Sequence, residues 1–92
     1  MVAANNRFGV LLFDEGWHEL GEALEPYVQH GPIGKYLYCR KLEVTGALAE
    51  LTFTPEQVGH RIDEEMTVWI PTSFIKFVAT SSKSNERGLG FV

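Results

Sequence analysis

"MTVWIPTSFIKFVAT", residues 66–80, holds two apolar runs of strand length separated by Pro71-Thr72-Ser73. Strand alternation puts Met66, Val68 and Ile70 on one side of the first run and Thr67 and Trp69 on the other. In the second run Phe74, Lys76 and Val78 alternate with Ile75, Phe77 and Ala79. Proline has no N–H, so an unbroken central strand through this stretch would leave a ladder carbonyl without a donor. Two strands joined by a tight turn, of 3₁₀ type, resolve the conflict. The stretch therefore reads as a corner, with the side occupied by Trp69 left open between core and solvent.

Working outward, "KYLYCRKLEV" at 35–44 and "ALAELTFT" at 47–54 flank Thr45-Gly46. The aromatic and β-branched content supports strands, and Gly46 suits the positive φ of a hairpin turn. Tyr36, Tyr38, Leu42 and Val44 alternate with Leu37, Cys39, Lys41 and Glu43, and Leu48, Glu50 and Thr52 with Ala49, Leu51 and Phe53. Upstream, "RFGVLLF" at 7–13 reads as a buried strand with Phe8, Val10 and Leu12 on one side. "DEGWHELGEALEPYV" follows, with Trp17, Leu20 and Leu24 at helical spacing, and Gly16, Gly21 and Pro26 limit it to a short helix over about 16–25. The Gly- and Pro-rich "QHGPIG" at 29–34 reads as a loop. "PEQVGHRIDEE" at 55–65 reads as a polar connection containing at most one helical turn, with Val58 and Ile62 to bury.

These elements predict a mainly β fold of the β-rich α+β kind. It is a small, strongly bent antiparallel sheet or barrel of about five strands, with one short helix after the first strand. The corner at 71–73 resembles that of Sm-like and SH3-like small barrels. The resemblance covers about a quarter of the chain, is generic, and carries no functional residue with it. Residues 7–79 are expected to form a single domain, with 1–6 and 80–92 as flexible ends rich in small, polar or charged residues.

The chain has 92 residues, 45% of them apolar, and a net charge of −4. The charge is segmented: residues 1–30 carry −4, 31–42 carry +3, 43–65 carry −5 and 66–92 carry +2. Phosphate backbones select clustered Lys and Arg, so this balance weighs against a nucleic-acid binder. One cysteine, Cys39, allows no intrachain disulfide and no Cys-based zinc site, which fits a reducing compartment, with cytoplasm as the expected location. The apolar run 8–13 is too short for a membrane span or a secretory core and ends at Asp14 and Glu15.

Candidate chemistry is sparse. His18, His30 and His60 lack the spacing that puts two imidazoles on one metal, and no cofactor or metal is expected. Cys39 lies mid-strand, where a cysteine is more simply a small apolar residue than a nucleophile. Neighbouring side chains of an extended chain point apart, so Asp63, Glu64 and Glu65 read as a solvated turn. Glu15, Glu19 and Glu22 form a negative stripe on the helix, either its wet side or a docking surface for a basic partner. Tyr36 and Tyr38 beside Lys35, Arg40 and Lys41 are the only interleaving of aromatic and basic residues, the composition of a stacking surface for nucleic acid. The closing "GLGFV", 88–92, is apolar after a polar tail and is either a floppy end or a segment that packs back or is captured by a partner.

No phosphate loop, nucleophile elbow or defined acid–base pair is present. The sequence does not specify a function. Its best reading is a small non-catalytic binding or regulatory accessory domain that engages another protein or a second copy of itself, with Trp69 as the first residue to inspect. A nucleic-acid-binding small barrel and, more remotely, a thiol-dependent enzyme are the alternatives.

Overall fold

The computed structural model describes residues 7–81. Within them, seven strands make two antiparallel sheets. In chain order the elements are β1 (Arg7–Leu12), helix α1 (Asp14–Leu24), a 3₁₀ turn (Glu25–Tyr27), β2 (Val28–Gly31), β3 (Gly34–Cys39), β4 (Lys41–Thr45), β5 (Leu48–Phe53), β6 (Met66–Pro71), a second 3₁₀ turn (Thr72–Phe74) and β7 (Ile75–Ser81). The first sheet has the order β2-β3-β1-β7 and the second β4-β5-β6. The two sheets are not closed into a barrel.

Two departures from the expected five strands have physical causes. "VQHG", which runs from Val28 into the expected loop, forms β2, and only Pro32 and Ile33 are left as the connection, with Gly34 at φ 102°. β2 lies at the sheet edge and is held by its backbone ladder to β3, so it shows little of the apolar alternation that marks a strand in sequence. The run 35–44 breaks at Arg40, whose N–H donates to the Thr52 carbonyl at 2.8 Å as the chain passes from one sheet to the other. This corner shifts the alternation by one residue: Leu37 and Cys39 face the core before it, and Leu42 packs on the core after it. The sequence reading had placed Tyr36, Tyr38 and Leu42 on one side.

The core lies between the inner faces of the sheets. Val10, Leu12, Val28, Leu37 and Cys39 from the first meet Ala49, Leu51, Phe53 and Ile70 from the second, with Leu24, Tyr27 and Val58 closing the ends. Phe53 is fully buried and stacks on Tyr27 with ring centroids 4.5 Å apart. Helix α1 rests on this core through Leu24, with Trp17 and Leu20 at its margin. Gly16 lets the helix come close, since a Cβ there would lie 2.9 Å from the Cβ of Phe74.

The Pro71 corner forms as expected. Pro71 ends β6, where it partners Leu48 and its missing donor costs nothing inside a ladder. Thr72 N–H donates to the Ala47 carbonyl at 2.8 Å and Phe13 N–H to the Phe74 carbonyl at 2.9 Å, so the 3₁₀ turn is tied to the hairpin and to the end of β1. Gly46 takes φ 62° in the β4–β5 turn, and β7 runs two residues past the expected limit of the domain, to Ser81.

The connection 54–65 consists of hydrogen-bonded turns rather than a helix. Gln57 N–H donates to Thr54 Oγ1 while Thr54 N–H donates to Gln57 Oε1, a reciprocal cap. Arg61 then fastens the connection down. Its Nε donates to the Val58 carbonyl at 2.8 Å, and its Nη atoms donate to the Val28 carbonyl at 2.7 Å and the Glu25 carbonyl at 3.3 Å. Arg61→Ala is expected to lower stability in urea by about 2 kcal/mol, the scale of lost charge-assisted hydrogen bonds. Arg61→Lys should recover little of it, because one ammonium cannot serve three carbonyls held in a planar fork; full recovery by lysine would show that charge alone matters.

Candidate binding surface

The outer face of the second sheet is set by strand alternation. Because Met66, Val68 and Ile70 turn inward, Thr67, Trp69 and Pro71 turn outward, and the β5–β6 register aligns them with Thr52, Glu50 and Leu48. The β4–β5 register adds Lys41, Glu43 and Thr45 opposite Thr52, Glu50 and Leu48. Three zones result. At one end Thr52 Oγ1 and Thr67 Oγ1 share a hydrogen bond at 3.0 Å; across the middle Glu43, Glu50 and Trp69 lie in one row; at the other end are Thr45, Leu48 and Pro71.

Trp69 is 59% exposed and Leu48 47%, whereas Ile70, the next residue, is 3% exposed. Leu48 and Trp69 are diagonal neighbours across two strands, within reach for an aromatic ring. Glu43 and Glu50 stand directly opposite each other, an arrangement that costs stability in a sheet. Lys41 Nζ lies 3.9 Å from Glu43 Oε1 and offsets part of that repulsion. The face thus combines an exposed indole with two glutamates at directly opposite register positions.

The other residues singled out in the sequence do not gather. Tyr36 and Tyr38 are buried on the outer face of the first sheet, their rings edge to face at 6.5 Å. Lys35 lies on the opposite side of β3, with Nζ 5.1 Å from the Trp17 ring centroid. Arg40 sits at the corner, where its Nη2 pairs with Glu65 Oε2 at 2.8 Å, and Lys41 belongs to the second sheet. The aromatic and basic residues interleaved in sequence therefore form no shared stacking surface. Alternation along β3 and the corner at Arg40 separate them.

Glu15, Glu19 and Glu22 are all exposed on α1, as are His18 on the same helix, His30 on β2 and His60 in the connection. Among the described residues no group of three His, Cys, Asp or Glu side chains is placed to hold a metal ion. Cys39 is buried, its Sγ 3.7 Å from the Phe8 carbonyl oxygen, and burial pushes its thiol up to about 12. A thiol so raised stays protonated and does not attack. No helix among the described residues is long and apolar enough to cross a membrane. The segment 88–92 lies outside the described residues.

The reading of the sequence missed Leu48, Glu43 and Glu50. Their signal lay in the hairpin: counting back from Gly46-Ala47 as a two-residue turn pairs Thr45 with Leu48 and Glu43 with Glu50. Comparison of the chain with protein-family models, with curated proteins and with solved structures gave no match.

Proposed function

We propose that this domain is a non-catalytic binding module whose contact surface is the outer face of the β4-β5-β6 sheet. Its partner is a protein that offers an apolar pocket for Trp69 and a Lys or Arg for the Glu43–Glu50 pair. The observation that supports this is the exposed Trp69 ring beside Leu48, in one row with two facing carboxylates. A rigid indole is the type of anchor that dominates binding energy in interfaces, and a partner cation between the glutamates would remove a repulsion that the free sheet bears.

The test compares the native chain with Trp69→Ala and with Glu43→Gln/Glu50→Gln as baits, followed by affinity measurement on whatever binds the native chain. Trp69→Ala should weaken the complex at least about thirty-fold, the effect of a central aromatic anchor, and leave thermal stability nearly unchanged because the ring is on the surface. The double Gln variant should weaken it less and flatten its salt dependence. A partner held equally well by native chain and Trp69→Ala would refute the surface. Concentration-dependent dimerisation that Trp69→Ala abolishes would place a second copy of the chain there instead.

A further inference from the structure

Resting on the reading of the Trp69 face as a binding surface, a closer identity for the partner follows from the order of its rows. β5 is the central strand of the second sheet, and on its outer side Leu48 and Glu50 follow each other two residues apart, about 7 Å. Register sets Trp69 directly across from Glu50 and Pro71 across from Leu48, both on β6, while Glu43 and Thr45 flank them on β4. The next pair along the face, Thr52 and Thr67, is closed on itself by its shared hydrogen bond, and Thr52 is only 3% exposed. A partner therefore meets an acidic row with an indole at one end and, beside it, an apolar row. Lys41 Nζ already lies 3.9 Å from Glu43 Oε1, which leaves Glu50, the direct neighbour of the indole, as the carboxylate to answer a partner's cation. The other tryptophan, Trp17, carries a cation of its own chain: Lys35 Nζ lies 5.1 Å from its ring centroid.

We propose that this face binds an extended segment of a partner protein in which an arginine and an apolar residue stand two positions apart, laid along β5. The arginine takes the Glu50–Trp69 row and the apolar residue the Leu48–Pro71 row. Same-side residues of an extended chain repeat every ~7 Å, the spacing of the two rows, so one segment serves both in register. Helical partners instead fill a hydrophobic groove, and here one of the two rows is acidic. Arginine meets both demands of its row at once. Its guanidinium is planar and weakly hydrated, so it stacks on the exposed indole while its in-plane N–H groups donate to the carboxylate of Glu50, about 5 Å away across the strands. A lysine ammonium is a strongly hydrated point charge and cannot make the stacked plane and the forked contact together. The methylene stem of the arginine and the apolar residue then cover the Trp69 ring between them, which supplies its apolar pocket.

The experiment is an NMR titration of the isotope-labelled full chain with the end-blocked peptide Gly-Thr-Arg-Thr-Leu-Gly, with its reverse-order counterpart, and with versions carrying lysine, citrulline or norleucine in place of arginine. The better of the two arginine peptides should shift the Trp69 indole N–H and the backbone amides of Leu48, Glu50 and Trp69. Lysine keeps the charge without the plane and citrulline the plane without the charge, so each should bind at least about five-fold more weakly. Glu50→Gln should weaken the arginine peptide at least about five-fold and Glu43→Gln less than about two-fold, while Trp69→Ala should abolish the response. Lysine or norleucine peptides that shift the same residues at the same concentrations, or an arginine peptide indifferent to Glu50→Gln, would overturn the arginine assignment and leave the face standing as a binding surface. No shift at Trp69 with any peptide at about 5 mM would overturn the assignment too; the face itself then stands or falls on the separate comparison of the native chain with Trp69→Ala as baits. The peptide series on the unmutated chain decides the matter even if a variant fails to fold.

Discussion

Phe53→Ala is expected to lower the stability of the domain by about 3–5 kcal/mol, the range for deleting a fully buried aromatic side chain. Phe53 is the largest of the fully buried side chains among the described residues and comes from the central strand of the second sheet. Its ring stacks on Tyr27 at 4.5 Å, so truncation removes both the buried area and an aromatic pair that couples the 3₁₀ turn after α1 to the sheet. The chain around the site is a ladder on both sides of β5 and cannot collapse into the space. Small domains hold only about 5–15 kcal/mol in total, so the variant should show a greatly reduced urea midpoint at 25 °C. Phe53→Leu, which keeps most of the volume, should cost well under half as much. A loss below about 1 kcal/mol for the alanine variant would mean that the two sheets do not pack through this ring.

Stability should also fall at high pH through Cys39. The buried thiol titrates at about 12 in the fold against 9.0 when free, and desolvation of the thiolate is the cause. Well below pH 9 the thiol is protonated in both states and contributes no pH dependence. Above it the unfolded chain releases the proton while the folded chain keeps it, so stability declines by about 1.4 kcal/mol per pH unit until the folded thiol itself ionises. Between pH 9 and 11 the loss from this residue is about 2 kcal/mol. Urea titrations at pH 8, 9, 10 and 11 on the native chain and on Cys39→Ala check it. The native curve should drop relative to the alanine curve above pH 9, and parallel curves would show that the thiol is accessible in the fold. Alkylation by iodoacetamide at pH 8 should accordingly proceed only at the rate at which the structure opens.

The elements that could be read from the chain are those whose signal is local. Pro71 lacks a donor wherever it stands, Gly46 alone offers an easy positive φ between two apolar runs, and Val10 and Leu12 alternate with residues that face away from the core. The helix and the corner appear in place, and of the expected hairpin the part from Lys41 to Phe53 does, closed by Gly46-Ala47, while 35–39 joins the other sheet. Less was legible where the outcome depends on a neighbour. β2 is recruited by β3, and its own Gln29 and His30 give no apolar pattern. Arg40 changes the phase of a strand, an event with no mark in composition, and it scatters Lys35, Tyr36, Tyr38 and Lys41 over three surfaces. The side taken by Trp69 followed from Ile70 only once a second sheet existed for Ile70 to be buried against. The pairing of Glu43 opposite Glu50 was readable in principle from the hairpin turn.

The placement of β1 has a consequence for how the protein comes into being. β1 is an inner strand of its sheet, paired on one edge with β3 and on the other with β7. The bond from Thr80 Oγ1 to the Arg7 carbonyl, at 2.8 Å, joins residues 73 apart in the chain. During translation β1 therefore emerges early, and one of its edges stays unpaired until nearly all of the domain has been made. Closing so long a loop is slow, which places folding on the millisecond-to-second scale of non-local β topologies rather than that of helical bundles. Until then β1 keeps one row of backbone N–H and C=O groups unpaired, an open strand edge of the kind that invites aggregation. Of the seven described strands, the one made earliest is among the last to be paired on both edges.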